Sequence, residues 1–498
     1  MAPPPLSREE IRAVYDAGPE AVIALVEGLL SRMGEMEARV KELEDRLSRN
    51  SRNSSRPPSS DPPFGSGKGE ETTRQNRSLR EKSGKPPGGQ PGHPPTAPPL
   101  RDDPHRIVVH TPSECAHCGG ALSEAETVAT ERRQVWEAPE LGVEVTEHRA
   151  ECRLCPHCGT LSRGSFPEGV THPVQYGERL RGVGVYLQAY HLLPFARTSE
   201  LLGDLFGVTL SEGTLFRALH AASERLEGTE AAIKTALSGA AVVHFDETGV
   251  RVEGKLHWLH SAGTDALVHY AVHPKRGQAA TKEIGILPAF TGRAMHDGWS
   301  SYFAYGCAHA LCNAHHLREL TFLHERHGQA WAGEMKGVLR EMHRAVEAAR
   351  SEGQTALAAG TIRDLEARYD RLLEAGEAAN PPPPDPATLG EDRERTRGRR
   401  KQTKAKNLLD RLRRYRAETL EFLHDFAVPF DNNLAERDLR MMKVQQKISG
   451  GFRARSGADA FCRIRSYLAS ARKQGQNTLA ALVAVFQGHP LSLVTLAE

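Results

Sequence analysis

The fold is decided by the stretch Ala240-Ala-Val-Val-His-Phe-Asp246. This apolar run has the length of a buried strand, and it ends in a carboxylate. Two alternating segments follow it, Lys255-Leu-His-Trp-Leu-His-Ser261 and Leu267-Val-His-Tyr-Ala-Val-His273, and each predicts a further strand. A helix is predicted near residues 276–287. The next short strand, Gly292-Arg-Ala-Met-His-Asp297, also ends in an aspartate.

The segment Ala308-His-Ala-Leu-Cys312 predicts another strand, which runs into a helix. Three consecutive strands, a helix and then further strands match the order of a ribonuclease-H-like α/β sheet. In such a sheet the acidic side chains lie at adjacent strand ends. We therefore predict a multidomain α+β protein, in which residues 239–325 form the first part of a ribonuclease-H-like core.

A third carboxylate lies in the stretch Asp431-Asn-Asn-Leu-Ala-Glu436-Arg-Asp-Leu-Arg440-Met-Met-Lys443-Val-Gln-Gln-Lys447. On a helix, Glu436, Arg440, Lys443 and Lys447 fall on one face. An isolated glutamate and arginine at this spacing usually form an ordinary surface pair. The strand context of the two aspartates favours another interpretation, because carboxylates that meet from several elements suit two-metal phosphoryl transfer.

We therefore predict that Asp246, Asp297 and Glu436 are catalytic and bind two Mg²⁺ ions, with Mn²⁺ as a substitute. The three cations on the helix face are predicted to contact nucleic-acid phosphates. Asp431 is the next candidate for the third carboxylate. Residues 429–498 are expected to form the second part of the core and the C-terminal helices.

Four further side chains, His244, Glu247, His296 and Trp299, flank the predicted site. His244 shares a strand face with Asp246 and is predicted to support that carboxylate, whereas His296 alternates away from its neighbouring aspartate and is predicted to pack. Cys312 and His315 lie where the last strand meets its helix. Two ligands alone are weak evidence for a metal, so we interpret this pair as shaping the floor of the site.

Residues 105–172 contain two Cys-x-x-Cys-Gly knuckles. The four cysteines are Cys115 and Cys118 and, after two β-like stretches, Cys155 and Cys158. This spacing predicts a structural Zn²⁺ site in a ribbon-like module. Four cysteine ligands close the coordination sphere, so a catalytic zinc is not expected there. Cys152 is a spare thiol and an alternative ligand.

Residues 7–48 carry an apolar heptad repeat. Its two rows are Val22, Leu29, Met36 and Leu43, and Val26, Met33, Val40 and Leu47. The repeat predicts a coiled coil that joins copies of the chain into a homo-oligomer; the alternative is an amphipathic helix that packs on its own chain. Residues 49–104 are rich in Pro, Gly and Ser and predict a disordered linker.

Residues 176–235 are predicted to be helical and to contain a helix–turn–helix motif. Gly207 provides the turn, the apolar residues after it fill the core, and Ser211 caps the second helix. The second helix of such a motif can enter the DNA major groove, and Arg217 is its candidate base contact. An ordinary helical hairpin explains the pattern equally well.

Residues 326–428 are predicted to be a helical insertion between the second and third carboxylates. Residues 391–416 hold twelve Arg and Lys against four Asp and Glu, and residues 431–473 hold ten against four. Such local excesses suit phosphate contacts, although a solvated basic helix is an equally good explanation for either stretch. Further predicted DNA contacts are Arg399, Arg400, Lys401 and Arg453.

The chain has 498 residues, enough for about three domains, and its formal net charge of +2 is nearly balanced. It has no run of 18 apolar residues and no recognisable signal peptide. Closely paired cysteines suit metal binding in a reducing compartment rather than disulfides. We therefore expect a cytoplasmic protein, which acts at DNA if the three carboxylates form the predicted site.

The motifs resemble one known family when they are taken together. In chain order they are the heptad repeat, Asn53-Ser-Ser-Arg-Pro-Pro-Ser-Ser60, Gly88-Gly-Gln-Pro-Gly-His93, the two knuckles, His244-Phe-Asp-Glu-Thr248, His296-Asp-Gly-Trp299 and Asp431-Asn-Asn-Leu-Ala-Glu-Arg437. This series resembles the DDE transposases, the large transposase subunits, of the insertion-sequence-66 family of bacterial mobile elements. The resemblance covers nearly the whole chain.

The resemblance implies a ribonuclease-H-like core, an N-terminal zipper, a zinc-binding module and a DDE triad at Asp246, Asp297 and Glu436. It also implies Mg²⁺-dependent cleavage and strand transfer, with the terminal inverted repeats of the element and target DNA as partners. Helper proteins encoded by the same element are candidate partners. One alternative stays open, a zinc-ribbon DNA-binding regulator that derives from a transposase and has an inactive core.

Overall fold

The computed structural model describes residues 7–49, 53, 100–382 and 402–493. Over these residues the protein is a mixed α+β structure. Its strands are β1 (Cys152–Leu154), β2 (Leu161–Arg163), β3 (Val242–Val252), β4 (Lys255–Gly263), β5 (Val268–His273), β6 (Arg293–His296) and β7 (Ala308–Leu311). Its α-helices are α1 (Arg8–Asp16), α2 (Pro19–Leu47), α3 (Glu178–Val185), α4 (Phe195–Phe206), α5 (Glu212–Arg225), α6 (Glu227–Ser238), α7 (Gln278–Ile284), α8 (Ile286–Ala289), α9 (Asn313–His327), α10 (Ala330–Ser351), α11 (Ala359–Ala379), α12 (Lys404–Arg414), α13 (Arg416–His424), α14 (Asn433–Ser449), α15 (Arg455–Lys473) and α16 (Thr478–Phe486).

The larger sheet has five strands in the order β5-β4-β3-β6-β7. Strands β5, β4 and β3 pair antiparallel, whereas β3, β6 and β7 pair parallel. Along the chain, three strands, two short helices and two more strands follow one another as the apolar runs predict. The mixed sheet places β3 at its centre, between the antiparallel and the parallel half.

Strand β3 is longer than the sequence predicts. The expectation that Asp246 ends its strand is wrong, because pairing with β4 continues to Val252 and closes in a tight hairpin. Positive φ angles at Glu253 (53°) and Gly254 (73°) form that turn. The residues after Asp246 interrupt the apolar run, and therefore hide the second half of a strand that cross-strand pairing extends.

Helix α15 covers the β5 edge of the larger sheet. Ser470 Oγ accepts a hydrogen bond from the backbone N–H of Val268 at 2.9 Å, and Ser466 Oγ accepts one from Tyr270 at 2.8 Å. The two serines lie one helical turn apart and face the same strand. Because its N–H groups are satisfied in this way, the edge is closed to pairing with another chain.

Helices α3 to α6 share the core of the sheet. Val185 and Leu219 belong to the same buried cluster as Val243 in β3 and Leu482 in α16. Between α4 and α5 the chain makes a short turn, with Gly207 in the left-handed region (φ 68°) and the Ser211 hydroxyl accepting the N–H of Thr214 at 3.2 Å. The turn glycine and the helix cap thus occupy the positions that the sequence pattern predicts.

Helices α10 to α13 form a second core together with α9 and one face of β6 and β7. Met295, Ala310 and Leu317 pack there against residues of the four helices. The described part of the predicted helical stretch 326–428 is therefore mostly helical, with turns and short irregular segments between its helices, and it packs on the parallel half of the sheet.

The N-terminal segment forms two helices, α1 and α2, separated at Gly18 (φ 104°). Most of the predicted linker, residues 49–104, lies outside the described residues. In the cysteine-rich module, the prediction of two β-like stretches between the knuckles is wrong, because residues 123–151 contain no strand. The only paired strands there, β1 and β2, flank the second knuckle. In this module, strand pairing is thus confined to the two knuckle turns. The sequence between the knuckles did not reveal this.

Candidate active site

Asp246 and Asp297 are neighbours across the parallel pair of β3 and β6. The register pairs Val242 with Arg293 and His244 with Met295, an offset of 51 positions. The same offset separates the two aspartates, which lie just beyond the last paired residues of β3 and β6, and the charge of Asp297 helps to raise the pKa of Asp246. The number of positions between Asp246 and Asp297 therefore equals the register offset between β3 and β6.

Asp297 is held by the turn directly after β6, and this turn requires a glycine at position 298. The Asp297 Oδ1 atom accepts the backbone N–H of Trp299 at 2.9 Å, which folds the chain back just after β6. Gly298 between them has φ 90°, in a region where a side chain would strain the backbone. This geometry explains why an Asp-Gly-Trp sequence follows the strand.

Helix α14 brings the third carboxylate to the site. Glu436 lies in its first turn and is 25% exposed. Arg318 in α9 donates to both carboxylate oxygens of Glu436, at 3.3 and 3.5 Å, and His315 Nε2 lies 3.8 Å from Oε1. The first two turns of α9 therefore face the first turn of α14 across the site.

Charges of one sign are crowded around Asp246. Burial raises the pKa of Asp246 to about 8, and the negative charges of Glu247 and Asp297 add to the rise, whereas His315 opposes it. Burial lowers the pKa of Lys443 on α14, and the charge of Asp246 acts in the opposite direction. These effects place Asp297, His315 and Lys443 each within electrostatic reach of Asp246.

The chemistry of this donor set fits a divalent cation. Carboxylate oxygens are hard ligands, and a cation between them relieves the repulsion that raises the pKa of Asp246. Even so, in the part of the chain that the structure describes, no group of three or more His, Cys, Asp or Glu side chains is spaced to hold a metal ion. Glu436 is instead engaged by Arg318.

An ion pair on the other face of β3 supports the site, and sequence reasoning missed it. The buried Glu247 accepts a hydrogen bond from Arg276 Nε at 2.7 Å and another from the hydroxyl of Tyr302. The Arg276 guanidinium lies 4.9 Å from the Trp258 ring centroid and 4.3 Å from that of Trp299. The sequence indicated that Glu247 and Trp299 flank the site, but it did not reveal their partner Arg276.

The flanking histidines occupy different surroundings. The His244 ring donates through Nδ1 to Asn432 Oδ1 at 2.7 Å, while burial lowers the pKa of His244. His296 is fully buried, stacks on Tyr302 and lies 3.1 Å from His309. Burial and the neighbouring His309 lower the pKa of His296 to about 3, so His296 is a neutral packing residue.

The candidate phosphate contacts differ in exposure. Arg440, Lys447 and Arg453 are exposed, whereas Lys443 is partly buried beside Asp246. Arg217 is exposed on α5 and donates to Thr214 Oγ1 at 3.2 Å. The remaining three candidates, Arg399, Arg400 and Lys401, lie outside the described residues.

Many of the other basic residues are engaged within the protein. In the described part of 391–416, five of them form ion pairs with acidic side chains: Lys404, Lys406, Arg411, Arg413 and Arg416. In α15, Arg463 pairs with Glu230 and Lys473 with Asp438. Lys406 pairs within α12, and the others pair with a different helix, so the local charge excess does not by itself indicate a phosphate surface.

The two cysteine knuckles have the same backbone geometry. In each, the backbone carbonyl oxygen of the first cysteine accepts the N–H of the glycine four residues later at 2.9 Å. These glycines are Gly119 at φ 68° and Gly159 at φ 70°. Hydrogen bonds lower the pKa of Cys115 and Cys158, through backbone N–H and Cys118 in the first and chiefly through Thr160 in the second. Thiols of this kind are suited to thiolate chemistry.

Comparison with known proteins agrees with these observations. The model of a family described as "Transposase IS66 family" matches residues 173–460, more than half of the chain, and this range includes all three carboxylates. A second model, described as "Family of unknown function (DUF6444)", matches residues 3–98. No curated protein matches the chain. Among the described helices, none has the length and apolar character needed to cross a membrane. The match over the sheet, its helical insertion and α14 shows that the chain belongs to the IS66 family of transposases.

Proposed function

We propose that this transposase cleaves DNA at the ends of a bacterial insertion sequence and joins them to target DNA, with Asp246, Asp297 and Glu436 as its catalytic triad. In the first reaction, water attacks a phosphodiester and releases a 3′-hydroxyl at the end of the element. In the second, that 3′-hydroxyl attacks a phosphodiester of target DNA. Each step makes one P–O bond and breaks one, so a covalent protein intermediate is unnecessary.

The observation that supports this proposal is the electrostatic link between the three elements. Asp246 in β3 is affected by the charges of Asp297 after β6 and of His315 in α9, and His315 Nε2 also lies 3.8 Å from Glu436 Oε1 in α14. The strand order also supports a ribonuclease-H-like interpretation of the sheet, because Asp246 lies on the central strand β3 and Asp297 directly follows the neighbouring strand β6. An ordinary surface pair between Glu436 and Arg440 would not require two further carboxylates at the neighbouring buried strands.

The residues of the site have three different roles in the proposed reaction. The three carboxylates would hold Mg²⁺ or Mn²⁺, which activates the attacking oxygen and stabilises the leaving one when bound. Arg318 and Lys443 place positive charge beside the site, where the scissile phosphate carries negative charge. The pair Glu247–Arg276 and the Asp297 turn hold the two aspartates in fixed positions.

DNA extends along α14 away from the carboxylates. Arg440 and Lys447 lie on the exposed face of this helix, and Arg453 follows it. Arg217, which is exposed on α5, is the proposed DNA contact of helices α3 to α6. Further phosphate contacts are proposed for three residues of the insertion, Arg399, Arg400 and Lys401. We assign the terminal inverted repeats and the target DNA to this surface as substrates.

The N-terminal modules have supporting functions in this proposal. The four knuckle cysteines bind a structural Zn²⁺, and the apolar repeat of α2 joins copies of the chain into a homo-oligomer. Helper proteins encoded by the same element are proposed partners. The protein works in the bacterial cytoplasm, at DNA.

The third carboxylate provides the sharpest test. Glu436→Gln should abolish Mg²⁺-dependent nicking of DNA that carries the ends of the element, while DNA binding in EDTA is unchanged. The matched control is Asp431→Asn, which alters an acidic residue just before the same helix and should retain nicking. Full activity of Glu436→Gln together with loss in Asp431→Asn would move the third carboxylate to Asp431.

One observation favours a second candidate function. Glu436 is paired with Arg318, and a carboxylate committed to an arginine suits a DNA-binding regulator with an inactive core. The two functions predict different results with Mg²⁺. A regulator binds the element ends and never nicks them, whereas a transposase nicks them at a rate that depends on the metal.

A further inference from the structure

Asn432 lies one residue before α14 and is almost completely buried, with 1% of its surface exposed. An asparagine at this position usually caps its own helix through its side-chain oxygen. Asn432 makes no such bond; the neighbouring Asp431 instead accepts the N–H of Asn433 at 3.0 Å. The amide of Asn432 is therefore used elsewhere in the fold.

That amide binds the strand of the first carboxylate. Asn432 Nδ2 donates to the carbonyl oxygen of Phe245 at 2.9 Å, and its Oδ1 accepts the Nδ1 proton of His244 at 2.7 Å. Phe245 and His244 are the two residues just before Asp246 in β3. Both side-chain bonds thus tie the start of α14 to the residues that place Asp246.

The backbone of Asn432 links the other two carboxylates. Its N–H donates to Cys312 Sγ at 3.1 Å, and Cys312 N–H donates to the carbonyl oxygen of His296 at 2.9 Å, one residue before Asp297. The Asn432 carbonyl oxygen accepts the N–H of Glu436 at 3.2 Å. One residue therefore has hydrogen-bonded connections toward all three carboxylates.

We propose that Asn432 and Cys312 form a clasp that sets the position of Glu436 relative to Asp246 and Asp297. This inference rests on the proposed function of the three carboxylates. Neither clasp residue reaches the site itself, so both are positioning residues. Groups that orient metal ligands in this way typically contribute about 10- to 100-fold to metal affinity or activity.

The test compares two clasp variants with two matched controls in the full-length protein. Asn432→Ala removes both side-chain bonds, and Cys312→Ala removes the acceptor of the Asn432 N–H. Asn433→Ala truncates the exposed neighbouring asparagine, and Cys462→Ala truncates another buried thiol, located in the core. The readouts are the Mg²⁺ concentration at half-maximal increase in Tm, the nicking rate, and DNA binding in EDTA.

Both clasp variants should need about 10-fold or more Mg²⁺ for the half-maximal increase in Tm, with DNA binding in EDTA as in the controls. Cys312→Ser restores an acceptor and should recover part of the metal response, which a purely structural thiol would not. If Asn432→Ala does not fold, Cys312→Ala decides the question alone, because it leaves both side-chain bonds between Asn432 and β3 in place.

Equal Mg²⁺ requirements in the clasp variants and the controls would overturn the clasp. Failure of the proposed function has a different signature, a wild-type protein that binds the element ends and never nicks them. The increase in Tm with Mg²⁺ does not depend on nicking, so the two failures are distinguishable.

Discussion

Side chains of the protein hold Glu436, whereas backbone groups hold the two aspartates. Asp246 Oδ1 accepts the N–H of Glu247 at 2.8 Å and Asp297 Oδ1 that of Trp299 at 2.9 Å, so both are fixed by the path of the chain. Glu436 instead meets the guanidinium of Arg318. At the scale of single residues, Arg318 therefore competes with a cation for the same carboxylate.

The Arg318→Gln substitution tests this competition. Removing the guanidinium should lower the Mg²⁺ concentration at half-saturation by about 3- to 10-fold, because a partly exposed ion pair contributes about 1 kcal/mol and 1.4 kcal/mol is tenfold. The nicking rate at saturating Mg²⁺ should fall, since positive charge beside the phosphate is lost. Metal titration by calorimetry measures the first effect.

Arg437→Gln is the control for Arg318→Gln, because it removes an exposed arginine from the surface of α14 itself. It should leave the Mg²⁺ titration unchanged. An unchanged or higher Mg²⁺ requirement in Arg318→Gln would contradict the competition between the arginine and the metal.

Helix α14 is anchored at both ends, and its anchors decide where its basic face points. Beyond its C-terminal end, Phe452 forms a parallel bridge with the tip of β3, donating to Arg251 O and accepting from Glu253 N, each at 2.8 Å. Gly451 makes this approach possible, since a Cβ there would lie 2.5 Å from Arg251 O. At the scale of elements, Gly451 after α14 is a docking contact with the tip of β3.

The Gly451→Ala substitution should separate the bridge. The added Cβ displaces the Arg251 backbone, and the loss of two hydrogen bonds costs about 1–3 kcal/mol of unfolding free energy. Affinity for DNA should fall as well, because Arg453 follows the bridge. Urea denaturation and salt-dependent DNA binding measure the two effects.

Gly457→Ala provides the comparison for the bridge, since this glycine lies in α15 and a Cβ there meets open space. It should stabilise the helix by about 0.5–1 kcal/mol. If Gly451→Ala were as stable as Gly457→Ala, the close contact with Arg251 would not determine the position of α14.

Local pattern revealed the strands and the order of the carboxylates, because apolar runs and the offset between Asp246 and Asp297 are visible along the chain. Arg318 and Asn432 were not found, since their partners are 118 and more than 180 positions away. The second half of β3 was missed for a different reason, because the residues after Asp246 interrupt the apolar run and the strand is extended by pairing with β4 in a tight hairpin. Side-chain partners that fold together from distant segments leave no local periodicity.

At the scale of the whole molecule, the described chain from α3 to α16 packs around the sheet, whereas α2 presents apolar residues to solvent. Arg225 donates to the carbonyl oxygen of Phe486, which ties α5 to the last helix. Along α2, Leu29 is 43% exposed and Met36 68%. A row of exposed apolar side chains at heptad spacing is typical of a helix that pairs with another copy.

The double substitution Leu29→Lys with Met36→Lys should convert the oligomer to a monomer. Two lysine charges in an apolar seam have no partner there. The free-energy cost of their desolvation exceeds the stabilisation from the remaining apolar contacts. Sedimentation over a range of concentrations measures the change. The double substitution Glu27→Lys with Glu35→Lys places the same cations off the seam and should leave the oligomer intact. The same mass for both double variants would contradict the zipper.

The most direct test of the catalytic assignment is Mg²⁺-dependent cleavage and strand transfer on DNA that carries the element's own ends, compared between the wild type and Asp246→Asn. Asp265→Asn is the control, since Asp265 is exposed in the turn between β4 and β5. The account predicts that Asp246→Asn binds DNA normally and loses both reactions, whereas Asp265→Asn retains them. Cleavage and transfer by Asp246→Asn at the wild-type rate would contradict it.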